Sequence, residues 1–205
     1  MKLLILGATG KTGAHVVEQA LAQGHEVTVL VRNAAKLSNQ AALNIIVGDA
    51  RSEADVAKAL KGQSAVISTI STMKAGDELF IRSSEALIAA SRKTAVKRVV
   101  LMSSFLLAPN YKPNLAMKAV GGLMKKTLDE KVSGEELLAS STLDWTIVRA
   151  TALDKVKAGG KVRIVQGEET VGLGNGIARA DVASFLLQAV SSKELVRKTV
   201  LITVK

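Results

Sequence analysis

The chain has 205 residues, about 1.4 times the ~150 that serve as a soft guide per domain, enough for one complete hydrophobic core. With 48% hydrophobic and 22% charged residues, 16 Gly and 2 Pro it is neither collagen-like nor low-complexity, and the absence of cysteine removes disulfides, thiol nucleophiles and Cys-ligated metals. The charge of +10 is spread over both halves without a basic arm, two histidines are too few for a zinc centre, and three Phe, one Trp and one Tyr make no stacking platform, so neither a metal nor a nucleic-acid partner is expected.

The segment 2–6 (KLLIL) is a short apolar run that reads as a buried strand, and GATGKTG at 7–13 is a glycine-rich turn. Val16, Val17, Ala20 and Leu21 then repeat at helical spacing until Gly24. HEVTVLVR (25–32) and NIIVGD (44–49) read as strands separated by a short polar stretch, and a helix begins near Glu53. A strand at 64–70, a helix at 77–93 and a strand at 96–104 follow. Both prolines fall in 105–114, which predicts a long loop; a helix is expected from about Leu123 to Ala139, strands at 144–150 and 161–167, a helix at 179–191 and a strand at 199–204. Alternation of helices with continuously apolar strands predicts an α/β fold: one doubly wound, mostly parallel sheet over residues 1–205, with segments 105–114 and 150–178 forming a small substrate-side region. No run approaches the ~18 apolar residues of a membrane span, and Met1–Leu6 is shorter than a signal-peptide core of ~7–15, so a cytoplasmic, membrane-free protein is expected.

The glycine turn carries the first chemical signal. Gly7 suits a tight turn, Gly10 lets backbone N–H groups approach a pyrophosphate, and Gly13 lets the helix pack on the strand. Strand, turn and helix in that order predict a dinucleotide site built from Gly7, Thr9, Gly10, Lys11, Thr12 and Gly13, the alternative being a turn kept for packing. Two look-alikes fail: Gly10-Lys11-Thr12 lacks the Walker A glycine, since Ile5 stands five positions before Gly10, and the S-x-x-K at Ser71–Lys74 has its KTG on the wrong side, inside the turn. The second strand ends in Arg32, and no acid lies between Val27 and Lys36. An NAD site places Asp or Glu there for the ribose hydroxyls; a guanidinium, supported by Lys36, suits a 2′-phosphate. NADP(H) is therefore expected ahead of NAD(H), the alternative being an Arg32 that points to solvent.

GATGKTG, VTVLVRN, VGDA (47–50), VLMSSF (100–105), LDWTIVRA (143–150) and ARADVASFLL (178–187) resemble the atypical short-chain dehydrogenase/reductases with an NAD(P)-binding Rossmann domain. Within these the chain is similar to the small branch of NmrA-like proteins and the biliverdin-IXβ reductase or flavin reductase. The resemblance spans nearly the whole chain. It implies that Asp49 and Ala50 lie against the adenine, that Thr69, Ile70 and Ser71 run beside the cofactor ribose, and that Ser103 to Phe105 border the nicotinamide. For Asp49 the competing reading is a carboxylate bound to its own loop.

The departures from that family redirect the chemistry. Its Tyr-x-x-x-Lys pair is missing: the only tyrosine, Tyr111, is followed four residues on by Leu115, and the matching helix offers Thr127 and Lys131. Lys131 is read as the lysine of the pair or as an ordinary exposed helix residue. Ala150 stands where the family has proline. Hydride delivery to an isolated ketone needs a positioned acid, worth ~10²–10⁴-fold, and none is evident. A conjugated acceptor spreads the incoming charge over its own heteroatoms and takes its proton from water. The expected function is thus an NADPH-dependent reductase of a free flavin, used as substrate and not as a tightly bound cofactor, or of a quinone or tetrapyrrole. Ser103 and Lys131 are the catalytic candidates and Phe105 a pocket wall. The alternative is a non-catalytic, NmrA-like redox sensor that binds NADP(H). A monomer or weak dimer is expected.

Overall fold

The computed structural model describes residues 1–38, 40–71, 76–113, 122, 124–154, 156–167, 169–172 and 174–204. Asn114, Leu115, Leu123 and residues 72–74 of the S-x-x-K look-alike lie outside the described residues. The elements in chain order are β1 (Lys2–Leu6), α1 (Lys11–Ala22), β2 (Glu26–Val31), β3 (Leu43–Val47), α2 (Glu53–Leu60), β4 (Ala65–Ser68), α3 (Leu79–Ser91) and β5 (Arg98–Ser104). They continue with α4 (Lys125–Ala139), β6 (Asp144–Ala150), β7 (Ala152–Leu153), β8 (Val162–Ile164), β9 (Gly176–Ile177), α5 (Arg179–Ser191) and β10 (Lys198–Val204).

Eight strands form one sheet in the order β3-β2-β1-β4-β5-β6-β10-β8, parallel throughout except β8, which pairs antiparallel with β10. In β1, Leu3 and Ile5 pack with Val16 and Val17 of α1 and Val182 and Leu186 of α5, while Leu4 and Leu6 join Val56 of α2, Phe80 of α3 and Leu138 of α4 on the other face. Helices on both faces are the reason the strands read as unbroken apolar runs. Strand order reverses between β1 and β4, so the chain leaving β1 enters a crevice at the carboxyl edge of the sheet, where α/β folds bind ligands.

Two contacts lock the layers. Gly134 of α4 faces α3 so closely that a Cβ there would stand 2.6 Å from Phe80 Cδ1, and Phe80 is itself 2% exposed. At the opposite end of the sheet, the Arg98 guanidinium donates to the carbonyls of Val190 (3.0 Å), Ala189 and Asp144 (2.7 Å) and to Thr146 Oγ1 (2.8 Å). It therefore satisfies the last carbonyls of α5 and opposes the negative end of the helix dipole.

Several expectations shift at the edges. The strand expected at 161–167 is three residues long and antiparallel, because β8 is the outermost strand and the chain leaves it at Val165 to cross the sheet face. The segment from Phe105 opens with a 3₁₀ turn, Phe105–Leu107, capped by Ser104 Oγ accepting from Leu106 N (3.3 Å). Inside 150–178 the pair β7 and β9 forms a separate two-stranded parallel ladder, too short for any periodicity to reveal.

Candidate dinucleotide site

The turn after β1 holds its shape through backbone alone. Gly7 adopts φ +83, the left-handed region that glycine tolerates, and its carbonyl accepts from Gly10 N at 2.9 Å. A Cβ on Gly13 would stand 2.1 Å from Gly7 O, so the start of α1 lies directly on the turn. From the neighbouring strand, Thr69 Oγ1 donates to Leu6 O (3.2 Å) and Gly7 O (3.3 Å), tying the turn to the carboxyl end of β4. No side chain caps α1, its first turn has no acid, and the Lys11, Thr12 and Gly13 N–H groups have no hydrogen-bond acceptor among the described residues. By contrast Ser52 Oγ caps α2 through Asp55 N, with Glu53 and Asp55 in the first turn. Three N–H groups at the positive end of a helix, left open beside a glycine cradle, fit a pyrophosphate.

A cavity of about 170 Å³ opens at this turn, lined by Gly7, Thr9 and Gly10, by Arg32 after β2, by Asp49 and Ala50 after β3, and by Thr69, Ile70 and Ser71 after β4. Nine of the residues expected from sequence to hold the cofactor thus converge on one crevice. Arg32 is exposed and makes no ion pair among the described residues. The carboxylate beside it is occupied elsewhere: Asp49 accepts from Arg51 Nη2 at 2.6 Å and Arg51 N at 2.9 Å, and this Arg51 contact holds its pKa below the ordinary range. Asp49 is therefore engaged within its own loop, and its backbone N–H donates to Asp55 Oδ2 at 2.9 Å.

The remaining expected residues sit outside that crevice. Lys36 lines an adjoining cavity of about 280 Å³ with Thr9, Ala14 and Glu18; Asn33 Oδ1 accepts from Ala35 N and caps the short 3₁₀ helix, which carries Lys36 past the crevice mouth. Thr9 is common to both cavities. Lys11 is exposed and lines neither, while Thr12 and Gly13 are buried behind the turn. Ser103 is 6% exposed with an Oγ that has no partner among the described residues, and Phe105 packs edge-on to Tyr111 with centroids 5.1 Å apart; neither lines the crevice.

Lys131 is not an ordinary exposed lysine. It is 6% exposed, its Nζ donates to Ser71 Oγ at 3.0 Å, and it stands 4.4 Å from the centroid of Phe80. Burial pulls its pKa down to about 8, opposed by the Glu135 carboxylate one helical turn on. Thr127 is buried one turn before it, so the hydroxyl and ammonium share a face of α4. Sequence reasoning passed over Glu135, whose Oε2 accepts from Arg149 Nη2 (2.5 Å) and Nε (3.2 Å) in a nearly buried pair. The available signal was Glu135 four residues after Lys131, on the same buried helix face.

A family model described as NAD(P)H-binding matches residues 7–193. The photosystem II assembly factor Ycf39 of Synechocystis is 30% identical over 97% of this chain, which spans only 61% of Ycf39. Among solved structures, the oxidoreductase ylbE of Lactococcus lactis superposes with a TM-score of 0.84 at 22% identity, covering 100% of this chain and 91% of that one. ChuY, an anaerobilin reductase from Escherichia coli O157:H7, gives 0.81 at 25% identity, covering 98% and 96%. This chain, with its α/β Rossmann sheet and glycine crevice, belongs to the NAD(P)H-binding family.

Proposed function

We propose that the protein is an NADPH-dependent reductase that passes a hydride to a conjugated acceptor, free flavin being the leading substrate and quinones or tetrapyrroles its chemical relatives. The observation that carries this reading is Arg32, without an ion pair among the described residues, at the mouth of a crevice with no tyrosine in its described lining. The guanidinium matches the two extra charges of a 2′-phosphate, and the missing Tyr-x-x-x-Lys pair selects acceptors that need no enzyme acid.

The bound nicotinamide would supply two electrons and a proton as hydride. The protein's part is placement. The turn amides of Lys11 to Gly13 would hold the pyrophosphate, Thr69 and Ser71 would border the ribose, and Lys131 holds the Ser71 hydroxyl by its hydrogen bond. Ser103 Oγ, buried and without a hydrogen-bond partner among the described residues, would be the donor to an acceptor carbonyl, with Phe105 as a pocket wall. Keeping donor and acceptor in near-attack geometry can supply ~7–11 kcal/mol of the barrier. The acceptor, left with one negative charge spread over its heteroatoms, would take its one remaining proton from water. Similarity to ChuY, an anaerobilin reductase, supports the reductase reading.

Similarity to Ycf39, named as an assembly factor, favours a second reading: a chain that binds NADP(H) in either redox state and reports it to a partner without turnover. Purified protein supplied with NADPH and each of FMN, FAD, menadione and biliverdin separates the two. Acceptor-dependent NADPH oxidation supports the reductase; tight binding with no oxidation by any acceptor replaces it with the sensor.

A further inference from the structure

On the face of the sheet covered by α2, α3 and α4, the helical layer ends at β6, but the sheet continues through β10 and β8. The chain after β5 fills this gap as a roof. Tyr111 bridges to Val171, Lys112 N donates to Val171 O (3.3 Å), Val171 N to Asn110 O (3.3 Å), and Asn110 Nδ2 to Glu169 O (2.6 Å). Glu169 is in turn ion-paired to Arg163 of β8. Between roof and sheet lies a cavity of about 520 Å³, within the ~300–1,000 Å³ usual for small-molecule sites.

None of its lining residues lines the dinucleotide crevice. Its walls are apolar at Ile164, Val165 and Leu201, its charged lining residues among the described residues are Arg149 and Lys112, and no Asp or Glu lines it among the described residues. Arg149 spends Nε and Nη2 on Glu135, while its Nη1 has no hydrogen bond among the described residues. Two acids outside the lining are held in ion pairs: Glu135 by Arg149 and Glu169 by Arg163.

We propose that this cavity is a second binding site, for an organic anion in which a carboxylate, sulfonate or phosphate head rests on Arg149 and Lys112 and an apolar body lies on β10 and β8. Glu135 is then the built-in competitor for Arg149. Hydride transfer plays no part in this binding, so the site and the reductase reading stand or fall separately.

The test uses the fluorescent sulfonate 1-anilinonaphthalene-8-sulfonate on the folded protein, with and without saturating NADPH, displaced by decanoate or by decanol. The probe binds in both conditions, and decanoate displaces it at least about tenfold better than decanol, the worth of one charge-assisted contact. Lys112→Ala, a change at an exposed roof position, weakens decanoate several-fold. Glu135→Gln tightens it several-fold, because Arg149 loses its competing carboxylate, an outcome that a purely structural ion pair would not give. Arg149→Met alone would strand a buried carboxylate, so the double variant Glu135→Gln/Arg149→Met is used to abolish the preference for decanoate over decanol. Equal displacement by decanol, no gain from Glu135→Gln, or expulsion of the probe by NADPH would each overturn the proposal.

Discussion

Replacing Gly13 with alanine tests the geometry of the turn at its tightest point. The added Cβ would lie 2.1 Å from Gly7 O, 2.8 Å from Gly7 C and 2.9 Å from Thr69 Oγ1, against an ordinary contact that begins at 3.4 Å. Two of these neighbours are backbone, so α1 has to retreat by about 1.3 Å from the turn. Overpacking of this kind costs ~1–3 kcal/mol, and at ~2–4 °C per kcal/mol for a chain this long the melting temperature falls by roughly 2–12 °C. The same retreat displaces the open amides of Lys11 to Gly13 that face the cofactor, so NADPH affinity falls with stability. Gly10→Ala is the control. Its Cβ meets only Gly7 O at 3.2 Å, its φ of −81 suits alanine, and it lines the crevice, so stability changes by less than about 1 kcal/mol while NADPH binding weakens. Thermal unfolding by circular dichroism, with NADPH titration followed by nicotinamide fluorescence, reads both quantities. A Gly13→Ala protein as stable as wild type, or a Gly10→Ala protein destabilised as much as Gly13→Ala, would refute the reasoning.

Lys131 should make stability pH-dependent in a defined window. Its pKa is about 8 in the folded chain against 10.5 when free, so between these values the unfolded chain binds more protons and stability rises with pH, by up to on the order of 3 kcal/mol. This gain is lost as pH falls through about 8; urea unfolding of Lys131→Met, compared with wild type across that window, should lack the slope, and equal slopes would contradict the burial of the ammonium. Gly134→Ala should drive a methyl into Phe80, costing ~1–3 kcal/mol and lowering the melting temperature. Arg98→Leu leaves the Ala189, Val190 and Asp144 carbonyls without their donor, at ~1–3 kcal/mol for each that stays buried, so a melting temperature equal to wild type would remove Arg98 from the account.

What could be read from the sequence was whatever is encoded locally. Unbroken apolar strands require helices on both faces, the three glycines are spaced three apart, and Arg32 terminates the strand after them, so the sheet and most of its crevice were visible. The interactions that were not visible join residues far apart in the chain. Lys131 meets Ser71 across 60 positions, because Gly134 lets α4 approach α3 closely enough to bury the ammonium over Phe80. Glu135 and Arg149 meet only because α4 folds back beside β6. Lys36 lies instead on the adjoining cavity, on the short 3₁₀ helix that the Asn33 side chain caps, a local turn that the strand pattern before it does not encode. The cavity under 105–113 depends on the sheet outrunning its helical layer, a property of strand order, which periodicity does not encode.

The central claim is a crevice that selects the phosphorylated dinucleotide, and parallel calorimetric titrations of NADPH and NADH into wild type and Arg32→Ala test it most directly. One exposed guanidinium on a phosphate is worth about 1.4 kcal/mol, so wild type should bind NADPH about tenfold more tightly than NADH, and Arg32→Ala should remove that difference by weakening NADPH alone. Equal affinities in wild type, or a preference that survives the substitution, would contradict it.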